Sequence, residues 1–311
     1  MHATLTLTTA LVTLLLPAAT SAHYVFSHLI AAGNYTDHYA YVRENSNYYM
    51  PTKSVLGSDF RCNTGSLASA PSTSVYGPVA PGTELGFGLA YDATIEHPGP
   101  LSVYLSPAPS GTDVRAYAGD GDWVKIYELG ATAFTADGIE WGVTGSANFT
   151  FTLPAATPAG QYLVRIEHLA LHGAMEYGGA EWYFTCGQIE VAGGGSEERS
   201  WEGVGEEWKV RIPGVYTGYE PGVLFNMYYP TPTNYTAPGP AVWSGEGAGA
   251  EASASASAAV PTTESVSTSS AVASATVAGE AVAPSAVTTS APISTPEDDD
   301  ACTMEWITVY V

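Results

Sequence analysis

His23 follows Thr20-Ser21-Ala22, and small residues at the −3 and −1 positions mark a site for signal peptidase. Cutting there makes His23 the first residue of the mature chain, with two metal-ready nitrogens, its α-amine and its ring. A free α-amine has a pKa of about 7.7–8.0, so a metal displaces its proton near neutral pH far more readily than from a lysine. A partner histidine is then needed. His97 stands in I-E-H-P-G-P, a turn signal directly ahead of the strand-like L-S-V-Y-L, where core filling does not explain it. On spacing alone the plainer reading of His97 is a surface-loop histidine. A second informative stretch, Y-L-V-R-I-E-H-L-A-L-H-G-A, is followed closely by G-A-E-W-Y-F-T-C. Side chains alternate along a strand, so Glu181 and Tyr183 share one face while Trp182, Phe184 and Cys186 share the other. A carboxylate beside a phenol could line a site; an exposed strand face with a hydrogen-bonded tyrosine is the plainer alternative.

The elements that must position these residues read as β-strands. G-T-E-L-G-F-G-L-A-Y puts Leu85, Phe87 and Leu89 on one face, and L-S-V-Y-L-S does the same for Leu101, Val103 and Leu105. W-V-K-I-Y, N-F-T-F-T-L, Q-Y-L-V-R-I-E-H-L-A-L and E-W-Y-F-T-C-G-Q-I-E-V extend the series, and no stretch sustains a helical period. Many short strands with frequent turns predict an all-β fold, an immunoglobulin-like or fibronectin type III-like antiparallel β-sandwich with long loops.

Flanking segments differ in kind. Residues 1–22 hold the apolar run Leu11–Leu16, then Pro17 and small residues, which predicts a secretory signal peptide too short to span a bilayer. The sandwich domain is expected over 23–243. Residues 244–311 are Ser, Thr, Ala, Val and Pro with few large apolar side chains, and predict a disordered, O-glycosylated tail. The 311 residues carry 31 acidic against 9 basic side chains, a net charge of −22, which argues against nucleic acid or an anionic membrane as partner. Of three cysteines, Cys62 and Cys186 lie in well-patterned segments and are expected to pair in an oxidising compartment, leaving Cys302 in the tail. N-x-Thr sequons at Asn34, Asn148 and Asn234 are candidate glycosylation sites.

Taken in order, His23, S-D-F-R-C-N, H-P-G-P, A-L-H-G-A, G-A-E-W-Y-F-T-C, I-P-G-V-Y, P-G-V-L-F-N-M-Y and N-Y-T-A-P-G-P-A-V-W-S-G resemble the fungal lytic polysaccharide monooxygenases of auxiliary activity family 9. The resemblance runs from His23 to about Gly245. It implies one copper ion per chain, held by the amine and ring of His23 and the ring of His97, with Tyr183 as the axial tyrosine. His172 then matches a second-sphere histidine, and Cys62 with Cys186 matches the family's disulfide. Three nitrogen donors in a tetragonal plane suit Cu(II). One position departs from the pattern: the family usually has glutamine where this chain has Glu181, a carboxylate that donates a hydrogen bond only when protonated.

The resemblance further implies a secreted monomer that oxidises β-1,4-glucan chains, cellulose first and hemicellulose second, at C1 or C4. It would use an external electron donor with O2 or H2O2 as co-substrate. Exposed aromatics are expected to dock the polymer, with Tyr235 in the carboxy-terminal loop matching such a position and Tyr35 and Tyr39 as further candidates. His28, His38 and His168 match no ligand position. The alternative reading is a copper-binding secreted protein of the same fold without catalysis.

Overall fold

The computed structural model describes residues 23–193 and 201–245; the expected leader, most of the expected tail and Cys302 lie outside the described residues. Strands follow in the order β1 (Phe26–Ala31), β2 (Asn34–Tyr35), β3 (Tyr76–Val79), β4 (Glu84–Leu89), β5 (Leu101–Pro107) and β6 (Asp122–Leu129). Then come β7 (Ala131–Thr135), β8 (Gly138–Trp141), β9 (Asn148–Thr152), β10 (Gly160–Ala170), β11 (Glu181–Val191) and β12 (Lys209–Arg211). One sheet has the order β2-β1-β4-β9, the other β12-β6-β5-β10-β11-β3, and β7 and β8 form a separate hairpin. The fold is a β-sandwich. Pairing is antiparallel except at one edge, where β3 runs parallel to β11.

Every run read from the sequence as a strand is one, from β4 and β5 to β6, β9, β10 and β11. The alternation also decides which residues meet. Phe87 of β4 and Leu29 of β1 reach across to Gly187 of β11, so that face of β11 looks into the space between the sheets. The opposite face carries Trp182, Phe184 and Cys186 and is covered by the loop around Phe60, whose ring meets Trp182 at 5.2 Å and Phe184 at 5.0 Å. The Cys62–Cys186 disulfide, Cα atoms 5.1 Å apart, fastens that loop to the strand. With both faces covered, β11 is buried almost throughout, where a half-exposed strand would alternate.

β10 carries the charged pair Arg165 and Glu167 within its buried stretch, and both find partners inside. Arg165 pairs with Glu167, the Tyr216 hydroxyl donates to Glu167 Oε1, and the hydroxyls of Tyr104 and Tyr216 lie 2.6 Å apart. The Arg165 guanidinium also sits over the rings of Phe60 and Phe184. Burying such charges is tolerated only when they are paired and hydrogen-bonded. At the far end of the described chain, Trp243 is buried and its amide donates to the Lys125 carbonyl at 2.8 Å. Among the described residues no helix is long and apolar enough to cross a membrane.

Candidate metal centre

Register places the start of β5, the end of β10 and the start of β11 at one end of the sandwich, since His168 faces Leu101 and Ala170 faces Glu181. The H-P-G-P loop enters there and packs backbone to backbone. Amides of Leu169 and Leu171 donate to the carbonyls of Pro100 and Pro98 at 3.0 and 2.8 Å. Gly99, at φ +148°, lies so close that a Cβ would stand 1.8 Å from the Leu169 carbonyl oxygen. Only glycine fits, and this approach holds His97 beside the residues that follow β10. The turn from β10 to β11 is closed the same way: a Cβ on Gly179 would meet the Gly173 carbonyl oxygen at 1.9 Å.

His172 therefore stacks on His97, ring centres 4.3 Å apart and planes 19° from parallel. Glu181 and Tyr183 share a face at the start of β11, as alternation requires, and the Tyr183 hydroxyl donates to Glu181 Oε2 at 3.2 Å. His172 Nε2 lies 3.5 Å from that same oxygen. From the other sheet, the residues leading into β1 bring His23 and Tyr24 across. Tyr24 stacks on Tyr183 at 4.3 Å and its hydroxyl bonds Nδ1 of His168, a pair closer than an ordinary hydrogen bond. Burial, then repulsion from His97, lowers the His168 pKa to about 3, so this ring is a neutral acceptor.

His23 and His97 face each other with ring centres 6.3 Å apart and planes at 85°. Imidazole nitrogens hold first-row metals at about 2.0 Å, and each ring centre lies about 1.1 Å behind its nitrogen, so two rings on opposite sides of one ion have centres about 6.2 Å apart. The separation of the two rings is thus the one that a shared ion would require. Tyr183 stands close to both, at 6.3 Å from His23 and 5.7 Å from His97, and is buried. A second grouping of donors overlaps the first: single donor atoms of His97, His172 and Glu181 all lie within 4.8 Å of one another. An imidazole lone pair lies in the ring plane, so the nearly parallel rings of His97 and His172 do not aim at a common ion as they stand. The His23–His97 pair is the better-formed centre.

Other expected residues fall in different places. Tyr235 is only partly exposed in the carboxy-terminal loop. Its ring meets Trp141 at 4.9 Å and Phe225 at 5.0 Å edge-on, and its hydroxyl donates to the Gly222 carbonyl at 2.7 Å. The loop packs this ring partly against the core, where an apolar pocket and a carbonyl within reach satisfy body and tip together. Tyr39 packs against the core beside His38, and burial pushes its phenol up to about 12. Tyr35 is half exposed on β2, next to His28. Asn34, Asn148 and Asn234 are all exposed.

Residues not expected from the sequence complete the end of the sandwich. Tyr49 is half exposed, with its ring 6.2 Å from His23, and Tyr228 donates its hydroxyl to the His172 carbonyl at 3.0 Å while half its surface faces solvent. A cavity of about 450 Å³ opens beside His23 and Tyr49, bounded by Tyr91, Asp92, Thr94 and Glu96. Exposed tyrosines near a metal centre carry no periodic signal, and only the assembled end shows which of the chain's 20 tyrosines face outward there.

Comparison with known proteins places the chain in a family. The profile of Auxiliary Activity family 9 (formerly GH61) matches residues 23–235. A protein of Aspergillus tamarii named AA9 family lytic polysaccharide monooxygenase G is 50% identical over 230 residues, covering 72% of this chain and 67% of its own. Among solved structures, HiLPMO9B is 26% identical with a TM-score of 0.61, covering 72% of this chain and all of its own (100%). A cellulose-active polysaccharide monooxygenase from M. thermophila is 26% identical with a TM-score of 0.58 over the same 72% and 100%. With the family profile spanning more than half of the chain and beginning at His23, the chain belongs to Auxiliary Activity family 9, the family of the lytic polysaccharide monooxygenases.

Proposed function

We propose that this chain is a secreted copper-dependent monooxygenase that cleaves β-1,4-glucan, cellulose first, by oxidation at C1 or C4. The observation that carries the reading is the opposed pair of His23 and His97, spaced for one shared ion beside a buried tyrosine. The catalytic unit is taken as residues 23–243, produced by cleavage of a 22-residue leader, with 244–311 as a tail. The cellulose activity of the M. thermophila neighbour supports the choice of substrate.

Each residue has a stated part. The amine and ring of His23 and the ring of His97 would hold copper, which when bound supplies one-electron chemistry with an external donor and O2 or H2O2. Tyr183, wedged against Tyr24, closes the inner side of the centre, so a co-substrate approaches from the solvent side. His172 keeps about a third of its side chain exposed and presents Nε2 within reach of Glu181, which suits it to hold or pass a proton at that nitrogen. Tyr49 and Tyr228 offer exposed rings on which sugar faces can stack, so the polymer need not enter a pocket. Glu181 accepts from Tyr183 and stays in contact with His172.

The test is mass spectrometry of products from amorphous cellulose, using copper-loaded protein that starts at His23, with ascorbate. Aldonic or 4-keto oligosaccharides that vanish in His97→Ala are the expected result, and their form gives the regiochemistry. Copper binding without oxidised sugars from any glucan would instead leave a metal-binding protein of this fold.

A further inference from the structure

Glu181 is held from outside the centre. Thr52 and Trp182 exchange backbone hydrogen bonds, the Thr52 amide donating at 2.9 Å and the Trp182 amide at 2.8 Å. This isolated bridge lays the segment after Thr52 along the start of β11 and sets Lys53 next to Glu181. Lys53 Nζ lies 3.3 Å from Glu181 Oε1. The other oxygen, Oε2, is the one that meets the Tyr183 hydroxyl and His172 Nε2. The two carboxylate oxygens thus have separate partners. The terminal torsion of a glutamate is soft and roughly two-fold, so a carboxylate does not hold one plane unless contacts on both oxygens fix it. The Glu181 side chain is 15% exposed, well inside the surface, whereas that of Lys53 is 56% exposed. An ion pair as open as this adds little to stability, so its effect must be sought in orientation and local charge.

We propose that Lys53 is a positioning residue for the reaction: by pairing with Oε1 it fixes the Glu181 carboxylate so that Oε2 faces Tyr183 and His172, and it balances the negative charge beside the metal centre. The inference rests on the copper monooxygenase reading. It assigns Lys53 a role through Glu181 alone, which separates it from a packing role. Lys53 also borders a cavity of about 290 Å³ lined by Val55, Leu56 and Trp182, to which its aliphatic stem can contribute. Methionine keeps most of that stem without the charge, so Lys53→Met isolates the ammonium.

The experiment is a double-mutant cycle on copper-loaded chains starting at His23: wild type, K53M, E181Q and K53M/E181Q, with K53R as the conservative variant. Two quantities are read, kcat and KM for soluble glucan oxidation, and the Cu(II) electron paramagnetic resonance spectrum. K53M is expected to lower kcat about three- to tenfold with KM unchanged, K53R to restore it, and K53M to have no further effect once residue 181 is glutamine. The spectrum of K53M should depart from wild type, while that of the double variant coincides with E181Q. An equal loss in both backgrounds, or wild-type kcat and spectrum in K53M, would overturn the proposal. Should the wild type bind copper yet oxidise no glucan, the functional reading fails, and the four spectra still decide the role of Lys53.

Discussion

Replacing Gly99 by alanine tests whether the H-P-G-P loop aims His97. At this position a Cβ would stand 1.8 Å from the Leu169 carbonyl oxygen. Ordinary carbon–oxygen contacts begin at about 3.3 Å, so something must shift by about 1.5 Å. Leu169 cannot supply that shift, because β10 is paired on both sides, to β5 and to β11. The loop must move instead, and His97 lies two residues away on it. A φ of +148° adds strain for any L-residue of about 1–3 kcal/mol. For a domain of this size that lowers Tm by roughly 2–12 °C. A displacement of about 1 Å at a reacting group can cost on the order of 100-fold in rate. The expected outcome for G99A is therefore a modest fall in Tm with a disproportionate loss of copper affinity and oxidised product. Calorimetry on metal-free protein gives the first, and titration with Cu(II) the second. Gly130→Ala, at a glycine with open space around it, is the matched control. If G99A kept copper affinity and product yield within twofold of wild type, the claim that this loop sets the His97 position would be refuted.

Three further outcomes follow from other parts of the molecule. The Cys62–Cys186 bond closes a loop across a separation of 124 residues, and chain entropy values such a closure at about 5 kcal/mol; C62S/C186S should therefore melt well over 10 °C lower, by calorimetry under non-reducing conditions. His168 has its folded pKa lowered to about 3 from an ordinary value near 6.5, so below about pH 6.5 the unfolded chain takes up a proton that the folded chain does not, and stability is lost as pH falls. Between pH 7 and pH 5 the metal-free wild type should lose about 2 kcal/mol more than His168→Gln in urea unfolding, and equal losses would remove the buried neutral histidine from the account. Tyr235→Phe should destabilise by about 1 kcal/mol through its hydrogen bond to Gly222 while leaving cellulose binding unchanged, whereas Tyr49→Ala should weaken cellulose pull-down without altering Tm.

Much of the fold was legible because its central strands obey a two-residue period between turn residues. Where β-strand patterning failed to announce itself, a physical cause is visible. F-S-H-L-I-A of β1 places a histidine among apolar residues, and β2, β3 and β12 are edge strands of two to four residues, too short for a pattern to develop. At the centre, the turn marks His97, strand alternation marks Glu181 and Tyr183, the expected cleavage site marks His23 and the family resemblance marks His172, and the fold brings them to one end. Lys53 could not have been foreseen, because its place depends on the single bridge between Thr52 and Trp182. His168 matches no ligand position in the sequence, yet a histidine in a strand as apolar as β10 already signals a buried partner. Tyr235, in a Pro-rich loop, reads from the sequence as fully exposed, whereas its ring rests partly against Trp141 and Phe225, a pocket no local pattern announces.

The proposed chemistry requires His23 to act through its own amine, and one added residue tests that most directly. A chain carrying a single glycine ahead of His23 keeps every side chain but turns the amine into an amide, which is a far poorer metal donor. Oxidised oligosaccharides from amorphous cellulose, with ascorbate and one equivalent of copper, would be quantified for both chains by mass spectrometry. Abundant product is expected from the chain beginning at His23, and a loss on the order of 100-fold from the extended chain. Equal product from the two chains would contradict that requirement.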